Sequence, residues 1–194
     1  MGAGAIICLS YYSKGYGTMA AMHVFLIAAL TADGYIARGV AEISTKWTSK
    51  SDAQFFTERT KQAGVCIMGS STFDTINRPL PGRVSIVLSR TPEKYSQWGD
   101  QVRGVNMQLE ELLTMLADEG YSEVAVCGGT SVYTQFMRAG LVERLYLTTE
   151  PVVFGTGLKL FNATLHSEIK LEKTHHLSEQ TIVQEYVVTN HHQD

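Results

Sequence analysis

The hydrophobic residues of this chain form short continuous runs that alternate with longer segments of helical periodicity. The run HVFLIAAL, residues 23–30, is followed by TADG and predicts a buried strand. The segment SKSDAQFFTERTKQAG ends at Gly64 and predicts a helix, because glycine is typical just after a helix end. Further strands are predicted by VCIMG, VSIVLS, EVAVCGG and VERLYLTTEPVVFG, and further helices by SSTFDTI, MQLEELLTMLADEG and TSVYTQFMRAG.

The last part of the chain departs from this alternation. IKLEKTHHL and TIVQEYVVT flank the short segment SEQ and predict an antiparallel pair of strands. RPLPGR predicts a turn, residues 94–104 a polar loop, and FGTGLKLF a turn between strand and loop. The alternating elements predict an α/β fold of three layers, with a mainly parallel central sheet and an antiparallel C-terminal edge. Residues 22–190 are expected to form this domain, and residues 1–21, which lack periodicity, a loose N-terminal extension.

Composition narrows the classes of partner. With 194 residues, 18% of them charged, and a net charge of −3, the chain resembles ordinary globular proteins and offers no basic surface for nucleic acid. No basic amphipathic helix and no run of about 18 apolar residues points to a membrane. We therefore expect a small-molecule partner, and neither a nucleic acid nor a membrane.

The cysteines bear on the cellular setting. Cys8, Cys66 and Cys127 form no CxxC pair, and the last two lie in apolar runs where a free thiol behaves as a small hydrophobic side chain. This usage predicts reduced, structural thiols and a cytoplasmic location. The spacings of common metal-binding motifs are absent from the sequence, so no metal site is expected.

Two strand ends carry small residues. Gly128 and Gly129 stand between a predicted strand and a helix that begins near Thr130, and Gly69 occupies the same place in IMGSSTF. Glycine allows close backbone approach, and a helix N-terminus offers free N–H groups to a phosphate. Two such turns in one sheet suit a ligand with more than one phosphate, although each turn alone is also an ordinary strand-to-helix connection.

One acid falls in a predicted core-facing position. Asp52 follows Ser49 at the spacing of a capping box, and it precedes Phe55 and Phe56 by three and four residues, which places all three on one helix face. A carboxylate on an apolar face is costly unless it is paired, and a ligand can supply the partner. Burial there raises the pKa of the carboxyl, so Asp52 is a candidate proton donor as well as a candidate cap.

Taken together, these segments resemble a known family. FLIAAL, Trp47 with Asp52 and Phe56 beyond it, IMGSSTF, INRPLPGRVSIVLSR, VAVCGGTSVYTQF and RLYLTT follow the order and spacing of dihydrofolate reductases from about residue 22 to 188. More broadly the chain is similar to their relatives, the pyrimidine reductases of riboflavin biosynthesis. The resemblance implies NADPH-dependent reduction of 7,8-dihydrofolate to tetrahydrofolate, with a hydride delivered to C6 and a proton to N5. It leaves open reduction of a ribosylaminopyrimidine or a related heterocycle, a binding protein without activity, and a monomer or a homodimer.

The resemblance also implies roles for individual residues. Asp52 is expected to grip the pterin and promote its protonation, Trp47 to close over the pocket through a water, and Thr148 to join the Asp52 network to the pterin. Tyr133 is expected beside the nicotinamide. The implied substrate contacts are Ala28, Phe56, Arg83 and Thr148, and the implied cofactor contacts are Ala29, Gly69, Ser70, Ser71, Thr72, Leu88, Ser89, Arg90, Cys127, Gly128, Gly129, Thr130, Ser131, Val132 and Tyr133.

Three features depart from the family pattern. TADGYIA, with Gly34, looks more like the pyrimidine reductases. The loop from residue 38 to 46 is longer than usual and lacks Met-Pro before Trp47, so the sequence does not predict whether a lid closes here as it does in the family. Ser70 stands where a basic residue is expected to read the 2′-phosphate of the cofactor. We therefore expect a weaker preference for NADPH than is usual, unless Arg90 compensates.

Overall fold

The computed structural model describes residues 22–191, and an eight-stranded sheet in the order β5-β4-β3-β6-β1-β7-β10-β9 forms its centre. The expected extension over residues 1–21, with Cys8, lies outside the described residues. The strands are β1 His23–Thr31, β2 Tyr35–Ala37, β3 Val65–Gly69, β4 Val84–Leu88, β5 Val102–Val105, β6 Glu123–Gly128, β7 Arg144–Glu150, β8 Leu158–Lys159, β9 Ser167–His176 and β10 Ile182–His191; the helices are α1 Lys50–Ala63, α2 Ser70–Ile76, α3 Leu109–Asp118 and α4 Thr130–Arg138, with 3-10 helices at Ser44–Lys46 and Pro92–Gln101.

The strand directions confirm the predicted class of fold. β5, β4, β3, β6, β1 and β7 pair in parallel, whereas β10 runs antiparallel to both β7 and β9. The sheet is therefore mainly parallel with an antiparallel C-terminal edge. Parallel strands need crossover connections, and the helices supply four of them.

Helices cover both faces of the sheet. Ala63 of α1 and Phe73 of α2 pack with Phe25 and Ile27 on one face. Leu112 of α3 and Phe136 of α4 join a second hydrophobic core on the opposite face. The continuous apolar strands follow from this arrangement, since a strand covered on both faces has no side that requires polar residues.

Helix α1 begins and ends where the sequence predicts. The Ser49 hydroxyl accepts the backbone N–H of Asp52 at 3.1 Å, which confirms Ser49 as the N-cap. Gly64 ends the helix with φ of 75°, a left-handed conformation that glycine adopts without strain. Cap and stop together fix which residues of α1 face the sheet.

One expectation about loops was wrong and another was incomplete. The segment over residues 94–104 contains most of a 3-10 helix and β5, which pairs with β4 at the sheet edge. FGTGLKLF contains β8, which pairs with β2. Such short strands carry little hydrophobic signal, and backbone contact holds them: a Cβ at Gly157 would collide with the carbonyl oxygen of Ala37. The strand predicted by VERLYLTTEPVVFG also ends earlier, at Glu150 before Pro151.

Two further observations bear on composition. The thiols of Cys66 and Cys127 are both free, as the apolar runs predict. No helix within residues 22–191 combines the length and apolar content that crossing a bilayer requires.

Candidate active site

A cavity of about 1140 Å³ opens at the carboxyl ends of the parallel strands. Ala28 and Ala29 of β1, Gly69 of β3, Leu88 of β4 and Gly128 of β6 contribute to its wall. Ligands of open α/β sheets bind at these strand ends, and the volume exceeds what one drug-sized ligand occupies. The cavity thus has room for two ligands. We call the part beside α1 the substrate half and the part beside the starts of α2 and α4 the cofactor half.

Asp52 is the buried acid of the substrate half. Its side chain lines the cavity and the residue is only 8% exposed. Burial raises the pKa of the Asp52 carboxyl above its ordinary value, and the negative charge of Glu150 adds to the rise. Hydrogen bonds from the hydroxyls of Thr148 and Thr48 act in the opposite direction. Asp52 therefore holds a proton to higher pH than a free aspartate, which suits a proton donor.

The two phenylalanines after Asp52 face different surroundings. Phe56 lines the cavity together with Asp52. Phe55 instead packs on Tyr146 and His175, with ring centroids 6.0 and 5.9 Å apart. The expected shared face therefore holds for Asp52 and Phe56, which are four residues apart, but Phe55 turns toward the sheet.

Arg83 supplies a buried cation to the substrate half. Its Nη1 donates to the Thr57 carbonyl oxygen at 3.0 Å, and its guanidinium carbon lies 5.7 Å from the centre of the Phe56 ring. Within residues 22–191 its buried Nε makes no hydrogen bond. Lys61 and Arg78 line the same cavity. A guanidinium at a cavity wall suits a carboxylate or phosphate on the ligand.

The cofactor half is shaped by backbone. Gly69 and Gly129 lie at neighbouring strand ends and both line the cavity. A Cβ at Gly69 would come within 3.1 Å of Val132, and one at Gly129 within 3.1 Å of Thr72, so the two turns are closely packed. The Gly128–Gly129 peptide bond is cis. Tight turns at a helix start are typical of sites where a phosphate approaches backbone N–H groups.

Tyr133 closes the floor of the cofactor half. Its hydroxyl donates to the Ile27 carbonyl oxygen at 2.8 Å, which ties α4 to β1. Burial raises the pKa of Tyr133 well above its ordinary value, and Cys127 and Asp52 add to the rise. The phenol is therefore a fixed, neutral wall of the cavity.

Most of the residues implied by the resemblance line this cavity, but four do not. Thr148 is buried behind Asp52 and acts on it through a hydrogen bond. The Trp47 ring packs on Phe154, with centroids 5.2 Å apart, and its buried indole N–H has no partner within residues 22–191. Ser89 and the exposed Arg90 are also absent from the lining. Those that line it are Ala28, Ala29, Asp52, Phe56, Gly69, Ser70, Ser71, Thr72, Arg83, Leu88, Cys127, Gly128, Gly129, Thr130, Ser131, Val132 and Tyr133.

Several charged residues in or beside the site were not singled out by the sequence patterns; besides Lys61 and Arg78 they include Lys159 and Glu150. Lys159 of β8 lines the cavity, and its carbonyl oxygen accepts the Thr130 hydroxyl at 2.8 Å, which places it beside the start of α4. Glu150 lies two residues after Thr148, on the same face of β7. Alternation along RLYLTTE could have indicated Glu150. No signal in FGTGLKLF marks Lys159, because the pairing of β8 with β2 places it.

Comparisons with known proteins agree with this geometry. A family model described as dihydrofolate reductase matches residues 23–189. Dihydrofolate reductase type 3 of Salmonella typhimurium is 35% identical over 129 residues, which cover 66% of this chain and 71% of that protein. Dihydrofolate reductase from Enterococcus faecalis, solved with NADP(H), superposes with a TM-score of 0.63 at 23% identity, covering 87% of this chain and 97% of that one. A pyrimidine reductase-like protein from Corynebacterium diphtheriae has a TM-score of 0.72 at 19% identity, covering 87% and 92%.

Proposed function

The chain belongs to the dihydrofolate reductase family, and from that premise we propose that it reduces 7,8-dihydrofolate to tetrahydrofolate with NADPH. In this reaction C6 of the pterin receives a hydride and N5 receives a proton. The observation that carries the proposal is the buried Asp52 carboxyl in a cavity that also contains the buried Arg83 cation. A pterin ring and a carboxylate tail need one such group each. We place the reaction in the cytoplasm.

Asp52 has two tasks in the substrate half. Its carboxylate accepts hydrogen bonds from the N–H groups of the pterin ring, which orients the ring against Phe56. The raised pKa of Asp52 keeps a larger fraction protonated near neutral pH, so the pocket can supply a proton toward N5. Thr148 holds the carboxyl in place by its hydrogen bond. We assign Trp47 to close over the ring through an ordered water on the family pattern alone, since its indole N–H is buried and its ring packs on Phe154.

Arg83 binds the far end of the substrate. Arg83 lines the cavity, and its guanidinium can pair with a carboxylate on the folate tail. Lys61 and Arg78 add positive charge along the same wall of the cavity. The tail thereby fixes the distance between the pterin and the outer end of the cavity, and this orientation is part of catalysis.

The cofactor half fits a dinucleotide. Gly69 and Gly129 line this half and carry no side chain, which allows the close approach of a phosphate to backbone. The hydroxyls of Thr130 and Ser131 and the cation of Lys159 lie at this end of the cavity. When bound, NADPH supplies the hydride; the chain supplies placement and electrostatics. Ser70 carries no charge for a 2′-phosphate, so we retain the expectation of a modest preference for NADPH.

A second candidate is reduction of a ribosylaminopyrimidine phosphate. Two observations favour it: the backbone resembles a pyrimidine reductase-like protein with a TM-score of 0.72, and Arg83, Lys61 and Arg78 all line the cavity. Those cations suit a ribose phosphate as well as a glutamate carboxylate. The two substrates differ in the tail that Arg83 meets, so activity rather than shape decides between them.

NADPH oxidation at 340 nm tests the proposal. Purified full-length protein is assayed with dihydrofolate and, in parallel, with the ribosylaminopyrimidine phosphate. We expect turnover with dihydrofolate that is lost in Asp52→Asn, while the variant still binds NADPH. Turnover with the pyrimidine alone would move the assignment to the second candidate. Turnover with neither substrate, in a protein that binds NADPH, would contradict both.

A further inference from the structure

We propose that Glu150 is a second acidic residue of the active site, a positioning residue that ties the first turn of α1, and with it Asp52, to β7 and β10. The inference deepens the proposed function and rests on it for its catalytic meaning. The groups involved are the carboxyls of Asp52 and Glu150 and the hydroxyl of Ser49 between them.

The side chain of Glu150 contacts the N-cap of α1 and the residue just before β10. Glu150 is 2% exposed, and its Oε1 accepts both the backbone N–H and the hydroxyl of Ser49, each at 2.8 Å. Its Oε2 accepts the hydroxyl of Thr181, just before β10, at 3.1 Å. One carboxylate thus joins three segments that are distant in sequence.

Ser49 connects the two acids directly. Its hydroxyl donates to Glu150, and the same oxygen accepts the backbone N–H of Asp52 at 3.1 Å. The hydrogen bonds therefore run from Glu150 through Ser49 to the backbone of Asp52. Because Thr148 on the same face of β7 bonds the Asp52 side chain, β7 holds Asp52 at its backbone and at its carboxyl.

A cap alone does not require this arrangement. Ser49 already satisfies the Asp52 N–H, and an apolar side chain on β7 could fill the same space without the cost of burying a carboxylate. Within residues 22–191 Glu150 forms no ion pair, and its partners are neutral donors. A buried negative charge that remains beside Asp52 favours the protonated form of Asp52.

The groups around Asp52 can be named. Glu150 faces it from β7, and Tyr133 of α4 is the other titratable group whose charge couples to it. The hydroxyls of Thr48 and Thr148 hydrogen-bond to it. Tyr133 is neutral near pH 7, since burial raises its pKa well above the ordinary value. The charge of Glu150 is therefore the nearby charge whose removal should change the pKa of Asp52.

The test is the titration of Asp52 in Glu150→Gln. The amide keeps the size and one acceptor but removes the charge. In protein labelled with ¹³C at its carboxyl carbons, with the Asp52 signal identified by its loss in Asp52→Asn, we expect Asp52 to titrate at lower pH than in the parent. The alkaline limb of the kcat/KM profile for dihydrofolate should also move to lower pH. At a given pH on that limb, kcat/KM of the variant should therefore be about threefold or more below that of the parent. Asp52 titrating unchanged in folded Glu150→Gln would overturn the proposal.

Glu143→Gln is the matched control. Glu143 is an exposed acid paired with His23, and it directly precedes β7 at the end opposite Glu150. Removing the charge of Glu143 should leave the Asp52 titration unchanged. If Glu143→Gln shifted the Asp52 titration as much as Glu150→Gln does, the shift would reflect net charge alone and would overturn the proposal. If Glu150→Gln does not fold, the Asp52 signal of the parent decides: coupling to a neighbouring acid spreads the Asp52 titration beyond a single step. A single-step Asp52 titration in the parent would overturn the proposal.

The titration also separates this inference from the proposed function. It needs no substrate, so a shifted Asp52 signal in a protein that reduces neither substrate would support the Glu150–Asp52 coupling and refute the reaction. Turnover of dihydrofolate, with an Asp52 signal and a pH profile that do not shift in Glu150→Gln, would support the reaction and refute the coupling.

Discussion

The substrate half and the cofactor half of the cavity are built from different parts of the chain. Buried side chains define the substrate half, where Asp52 and Arg83 are 8% and 9% exposed. Backbone defines the cofactor half, where a Cβ at Gly69 or at Gly129 would meet a neighbouring side chain at 3.1 Å. The single cation we assign to that half, Lys159, lies on a two-residue strand.

This difference predicts how each half fails. Removing a side-chain group in the substrate half leaves the shape and deletes the chemistry, so turnover should fall while NADPH still binds. Adding a Cβ at a glycine of the cofactor half changes the shape of the site, so cofactor binding should weaken there. Variants that mix these outcomes would break the distinction.

The largest effect is expected for Asp52→Asn. An amide cannot donate the proton that a carboxylic acid supplies, and general acids contribute about 100-fold to 10,000-fold. kcat/KM for dihydrofolate should fall by at least about 100-fold at neutral pH, measured by NADPH oxidation. NADPH affinity, followed by fluorescence, is the control and should change little. A variant that retains most of its activity would remove Asp52 from the mechanism.

The next effect tests the backbone of the cofactor half. Gly128 has φ of 118°, a region that other residues rarely adopt, and a Cβ there would lie 3.1 Å from the Tyr133 hydroxyl. Gly128→Ala should weaken NADPH binding by about tenfold or more and lower stability by about 1–3 kcal/mol. Gly39→Ala is the matched control, because Gly39 lines the same cavity with open space around it. Equal losses in both variants would contradict the account.

Arg83→Gln should separate binding from chemistry. Loss of the guanidinium removes contacts made equally in the ground state and the transition state, so KM for dihydrofolate should rise about tenfold or more while kcat changes less. KM for NADPH is measured alongside and should stay constant. Unchanged KM for dihydrofolate, in a folded variant, would favour a substrate without a carboxylate tail.

The smallest effects concern two cations, Lys159 of the cofactor half and the exposed Arg90. Lys159→Gln should raise KM for NADPH and NADH alike, by about threefold, since a pyrophosphate is common to both. Arg90 is exposed and absent from the cavity lining, so the ratio of kcat/KM for NADPH over NADH tests whether it reaches a 2′-phosphate. In Arg90→Gln this ratio should fall. A strong preference for NADPH that survives would exclude Arg90 as the residue that compensates for Ser70.

Hydrophobic pattern predicted the strands of the sheet and missed elements held by backbone contact. β1 is apolar from Val24 to Leu30 and β3 is apolar throughout, and both were predicted closely because burial on both faces leaves a continuous apolar run in the sequence. β5 has the sequence VRGV, with only its two valines buried, and β2 and β8 pair over two or three residues. Such elements depend on neighbours that local sequence does not specify.

The site shows the same limit. Asp52 was predicted because four residues separate it from Phe56 on a helix with clear caps. Glu150 was not, because its meaning depends on Ser49 and Thr181, which are 101 and 31 residues away along the chain. Trp47 and Arg90 were expected in the pocket, yet packing on Phe154 and exposure at the surface keep them out of its lining.

The most direct measurement is kcat/KM for dihydrofolate against pH, for the parent and for Asp52→Asn. The pKa of Asp52 is raised by burial, so its protonated form extends to higher pH and is lost as pH rises through that pKa. We predict that the parent loses activity as pH rises through a single group, and that the residual activity of Asp52→Asn lacks this step. The same step in both proteins would contradict the assignment of Asp52 as the proton-supplying acid.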